Sequence, residues 1–226
     1  MSERRTDGPH PSTAIAGTGT LLLPLWSTIG MLILIQIADQ LLAKRWGLFG
    51  QTDQLTDDAF VAVDIVSDVT FVVMLIVVIV GAIVRARPTW MNRLVVAYLV
   101  VATVNLIINV ANFVIATRLK QTQALQLLGD IALIFANIVT VFAVWYRLLN
   151  AHCDGEAFEF PEDPNRPDRQ LGWVDYIFLS FNTNSTFGPT LETPHRKRAK
   201  ALMMVQTTLA LLVLVVLVAR IVGLER

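Results

Sequence analysis

The sequence is poor in charge and nearly free of cysteine. Only 16% of its 226 residues are Asp, Glu, Lys or Arg, against roughly 25% in soluble domains. Its 18 basic and 18 acidic residues cancel, so no bulk positive field draws a nucleic acid. A single cysteine, Cys153, excludes a disulfide within the chain. His152, Cys153 and Asp154 are adjacent in a loop and lack the spacing of a zinc site. There is neither a Gly-rich phosphate cradle nor a nucleophile motif, and Asp175 beside Tyr176 reads as a helix cap. These absences argue against an enzyme, a metal site and a cofactor.

What the sequence has is apolar length. Hydrophobic residues make up 54% and mean hydropathy is +0.58. This composition predicts an all-α membrane protein, multi-pass in the cell membrane. About five stretches are long enough to cross a hydrocarbon core, which needs roughly 20 apolar residues as helix: 21–42, 60–84, 94–117, 124–149 and 201–223. Trp26 at one end of the first and Lys44, Arg45 and Trp46 at the other are placed as interfacial anchors. Residues 1–18 are small, polar and without apolar periodicity, which predicts a disordered tail. The run after it continues to Lys44, longer than a signal peptide's apolar core, and is read as retained. Residues 19–123 then form a three-helix membrane region, and 124–226 a region of outer helix, acidic loop, half-helix with its turn, and inner helix.

Polar side chains interrupt the spans, and such groups usually face protein or water. The first span carries Gln36, Asp39 and Gln40; the second Asp64, Ser67 and Asp68; the fourth Asp130 and Asn137. Asn105, Asn109 and Asn112 recur at helical spacing and stack on one face of the third. Asp64, Asp68, Asn105, Asn109, Asn112 and Asp130 are candidates for an intramembrane cation or proton site. The competing reading puts Asp39, Asp64 and Asp130 near span ends, with the asparagines joining helices at about 0.6 kcal/mol per bond. No Lys or Arg lies deep in a span, which argues against a voltage sensor.

The stretch Trp173 to Gly223 organises this reading. Trp173 to Asn184 is too short to cross a bilayer, so it enters and turns back or lies at the interface. A polar turn at Phe187-Gly188-Pro189-Thr190 follows, then a basic collar from His195 to Arg198, then the last span. Irregular backbone at membrane depth survives only where protein or trapped water satisfies it. Ahead of the half-helix, residues 150–172 hold Pro161, Pro164 and Pro167 and six acids, Asp154, Glu156, Glu159, Glu162, Asp163 and Asp168. An acidic vestibule of this kind concentrates cations; a merely solvated loop would look the same.

Phe181 to Pro194 (FNTNSTFGPTLETP) resembles the pore loop of the two-transmembrane potassium-channel module. Ser185 and Thr186 stand where that family has its threonine pair, Phe187 at its valine, Gly188 at its first filter glycine and Thr193-Pro194 at its closing turn. The stretch Leu217 to Gly223 is similar to the end of that family's inner helix. Asp175 to Gly223 also resembles a group of uncharacterised bacterial integral membrane proteins with a degenerate pore module. The resemblance implies a homo-oligomer, a tetramer, with Thr183, Ser185, Thr186, Phe187, Gly188, Pro189 and Thr190 as a filter-like turn. Pro189, Thr190 and Leu191 depart from the family, replacing its aromatic, second glycine and acid. Carbonyls aimed at an axis need glycine's dihedral freedom, so these departures argue against potassium selectivity and leave hydroxyl oxygens to line a wider path.

Three functions follow as expectations: a poorly selective path for monovalent cations, a non-conducting scaffold or partner subunit, and a proton- or cation-coupled transporter. Orientation is contested. Counting Lys and Arg puts the N-terminal tail, Arg85, Arg87, Arg93 and the collar in the cytoplasm, whereas the channel resemblance puts the filter outside.

Overall fold

The computed structural model describes residues 25–47, most positions between 65 and 80, 89–119, 124–153, 155–161, 171–186, 188 and 192–224. The elements are α1 (Leu25–Gly47), the helical positions within 65–80 (α2), α3 (Thr89–Leu119), α4 (Ala124–His152), β1 (Phe158–Glu159), α5 (Trp173–Thr186), β2 (Thr193–Pro194) and α6 (Lys197–Leu224). The expected tail at 1–18 and the acids Asp154, Glu162, Asp163 and Asp168 lie outside the described residues.

Among the described residues, three stretches are long and apolar enough to cross a membrane: Arg93–Ala111, Leu127–His152 and Lys197–Ala219. The apolar part of α1 whose side chains are described, Ser27–Leu42, is shorter. The exposed faces are apolar too: Leu34, Ile37 and Leu41 on α1, Val69, Val73 and Ile76 on α2, Val100 and Val104 on α3, and Met204, Val215 and Val218 on α6. Faces of this kind suit lipid rather than water.

The centre of the bundle is α4. From Asn137 to Val144 every residue is buried, and all but Asn137 and Thr140 are apolar, as suits a helix enclosed on all sides. Ile134, Ile138, Val141 and Phe142 fill the shared core with Leu32 and Leu42 of α1, Leu99 and Leu106 of α3, Leu179 of α5 and Met203 and Val213 of α6. Thus the element that gathers the chain is the helix preceding the acidic connection, with the half-helix and last span leaning on it. Trp145 Nε1 donates to Thr103 Oγ1 at 2.9 Å, fixing α3 against α4.

Two short strands form a clasp where α4 ends. Gly155, with φ of 87°, takes the left-handed conformation that glycine tolerates without a Cβ penalty. Its N–H donates to Asn150 O at 2.8 Å, and Ala157 N–H donates to Asn150 Oδ1 at 3.1 Å. Asn150 thereby ends α4 and starts the turn. Phe158 then pairs with Pro194 and Glu159 with Thr193, antiparallel. An ion pair from Arg196 to Glu156 and a hydrogen bond between His195 and Glu159 cross the clasp on its exposed side.

Candidate functional site

The half-helix α5 begins with a cap formed by its own third residue. Asp175 Oδ2 accepts the Gly172 N–H at 2.7 Å, the acid-reaching-back half of a capping box. From there α5 runs antiparallel to α4. Asn150 Nδ2 donates to Tyr176 Oη at 2.8 Å, Ser180 Oγ to Val139 O at 2.8 Å, and the Phe181 ring meets Phe135 edge-on at 5.5 Å. As the numbers rise on α5 they fall on α4, so α5 starts at the clasp end of α4 and reaches towards its middle. β2, which follows, is back at the clasp.

The dimensions permit this return. A helix of 14 residues is about 20 Å long, and from Thr186 to Thr193 an extended chain spans at most about 24 Å. The intervening positions Phe187, Pro189 and Thr190, three of the filter-like residues, lie outside the described residues.

Gln206 of α6 locks the half-helix in place. Its Nε2 donates to Ser180 O at 2.8 Å and Ser180 Oγ at 3.0 Å, and its Oε1 accepts from the Tyr146 hydroxyl. All three side chains are 0% exposed, so no water substitutes for these bonds. One amide on α6 thus joins α4 and α5.

The hydroxyls expected to line a path divide between two environments. Thr183 is buried within the chain, its Oγ1 donating to Leu179 O at 2.8 Å. Ser185 and Thr186 are exposed at the inner end of α5. Ser185 donates to Phe181 O at 2.8 Å, and Thr186 Oγ1 lies 2.6 Å from Asn182 O and 2.8 Å from Gly188 O. A hydroxyl carries one proton, so Thr186 serves one carbonyl at a time and keeps lone pairs free to accept. At Gly188 an added Cβ would meet nothing within 4 Å. Either side of this turn sit two buried side chains with polar atoms unpaired among the described residues: Asn184, 3% exposed, at both amide atoms, and Glu192, 4% exposed, at Oε2.

A second polar cluster joins α1, α2 and α3. Asp39, 8% exposed, accepts from Asn109 Nδ2 at 2.7 Å and from Asn105 Nδ2. Asp68 Oδ1 accepts from Gln36 Nε2 at 2.6 Å and Gln40 Nε2 at 2.5 Å, and Tyr98 Oη donates to Gln36 Oε1 at 3.3 Å. Gln36, Asp39 and Gln40 lie on one face of α1, the helical spacing that could have identified it as the hub. The asparagine stripe therefore turns to Asp39 rather than to Asp68. Of its partners, Asn105 lies near the middle of the apolar stretch Arg93–Ala111 and Asn109 two residues before its end, while Asp39 itself lies three residues before the end of Ser27–Leu42. Asp130 is buried near the start of α4. Asp64 lies outside the described residues, as does the side chain of Asn112.

No group of three His, Cys, Asp or Glu that could hold a metal ion occurs among the described residues. No protein-family model matches the chain, and neither does any curated protein or solved structure.

Proposed function

We propose that this is a pore-loop membrane protein of the cell membrane. Five crossings surround a half-helix, α5, that dips into the bilayer and returns, and copies of the chain assemble, as a tetramer by the resemblance, to form a poorly selective path for monovalent cations. One observation carries the reading. The segment from Trp173 to Pro194 starts and ends at the clasp end of α4, while its middle packs against Val139 and Phe135. Backbone entering and leaving an apolar slab from one side needs polar company, and the exposed hydroxyls of Ser185 and Thr186 with the partnerless Asn184 supply it.

Purified protein in liposomes tests this. Cation flux that falls on Gly188→Val or Thr186→Ala supports the pore; a correctly assembled oligomer without flux leaves the scaffold reading. A transporter is the second reading, favoured by two carboxylates held by amides of a neighbouring helix, Asp39 of α1 by α3 and Asp68 of α2 by α1. In that case Asp39→Asn or Asp68→Asn abolishes flux and the turn variants do not. Oligomer size by native mass measurement comes first, because a stable monomer could not close a four-fold path.

A further inference from the structure

Where α4 ends and α5 begins, two hydrogen-bond donors are buried with no acceptor among the described residues. Arg147, 8% exposed, lays its guanidinium over the Trp173 ring at 4.3 Å and beside the Tyr176 ring at 5.7 Å. The rings hold its charge by cation–π attraction, yet its Nη1 has no acceptor, and neither has Trp173 Nε1. Trp173 is the first residue of α5, where unpaired backbone N–H groups and the helix dipole add positive potential. The nearby carboxylate of Asp175 receives the Gly172 N–H.

A second feature of the same end points the same way. α6 opens with Lys197, Arg198 and Lys200, all exposed. Cations in a first turn oppose the helix dipole, so this end gains stability when an anion is near. Arg147 lies near the end of the apolar stretch Leu127–His152, the depth of lipid headgroups if that stretch spans.

We infer that Arg147 and Trp173, at the junction of α4 and α5, form a binding site for a phosphate group, that of an anionic lipid headgroup. A phosphate oxygen is the acceptor both donors lack: the guanidinium offers paired N–H bonds suited to it, and the indole N–H adds one more. The basic first turn of α6 draws anionic lipid to this face. The site is independent of whether α5 lines a pore.

The test uses the full chain, delipidated in a neutral detergent, with phosphatidylglycerol, phosphatidylcholine or inorganic phosphate added and bound species read by native mass spectrometry. Phosphatidylglycerol is expected to bind, roughly tenfold more weakly in Arg147→Gln, the usual loss for one charge-assisted bond. Trp173→Phe keeps an aromatic ring under the guanidinium, though a smaller one, and deletes the orphaned N–H. It is expected to lower the melting temperature of lipid-free protein only slightly and to weaken lipid binding several-fold. Displacement by millimolar inorganic phosphate assigns the site to phosphate itself, and retention of the lipid assigns it to the headgroup with its chains. Equal phosphatidylglycerol binding by wild type and Trp173→Phe, or equal uptake of phosphatidylcholine and phosphatidylglycerol, overturns the proposal.

Discussion

Replacing Gln206 by leucine tests the lock that holds the half-helix. The side chain is 0% exposed and makes three hydrogen bonds, two to Ser180 and one from Tyr146. Leucine nearly fills its volume, so the loss is in bonding rather than in a cavity. Bonds between membrane helices average about 0.6 kcal/mol, so three come to about 2 kcal/mol. Depriving the Tyr146 hydroxyl of this acceptor, with only Thr183 beside it to take the bond, adds up to about 1 kcal/mol. Ser180 keeps its bond to Val139 O and is not stranded. Gln206→Leu should therefore cost about 2–3 kcal/mol and Tyr146→Phe about 1 kcal/mol, while the double variant costs about 1 kcal/mol less than their sum. Reversible unfolding in mixed micelles, titrated with a denaturing detergent, reads all three. Effects that add to within about 0.4 kcal/mol would mean that the two side chains do not interact and would refute the lock.

Other outcomes follow from single sites. Asp39→Leu leaves the Asn105 and Asn109 amides without their acceptor and should cost about 2–4 kcal/mol in the same assay, whereas Asp39→Asn costs less because it still accepts one bond. Asn184→Leu removes a buried amide with no partner for either polar atom and should stabilise by about 1 kcal/mol; a fall would show that a bound water or ion satisfies it. Arg196→Ala breaks an exposed ion pair to Glu156, so its cost should stay below about 1 kcal/mol and shrink with salt.

The helices were legible in the sequence because their signal is local. The half-helix expected at 173–184 extends to Thr186, and the last span starts at Lys197 rather than 201, since basic residues continue a helix readily once Pro194 is passed. The clasp was not legible: a pairing of two residues across the acidic connection leaves no periodicity to detect. Nor did apolar content single out α4, because a helix enclosed by protein and one facing lipid read alike. Among polar residues the stripe Asn105 and Asn109 was visible from spacing, yet its partner Asp39 was not, since a helical face does not name the helix opposite. Gln206 and Tyr146 lie on different helices, and only packing brings them together. The buried guanidinium of Arg147 is likewise a property of the fold.

Re-entry of α5 is the claim on which the proposed function stands, and side-specific labelling of cysteines in sealed vesicles measures it. With Cys153 changed to serine, single cysteines are placed at Glu159, His195 and Ser185, and a bulky impermeant thiol reagent is applied to each face in turn. The account predicts that Glu159→Cys and His195→Cys react from the same face and that Ser185→Cys, at the inner end of α5, is protected from that face. Rapid labelling of Ser185→Cys together with the other two would mean that α5 lies flat on the surface. Labelling of Glu159→Cys and His195→Cys from opposite faces would mean that it crosses, and either result contradicts the account.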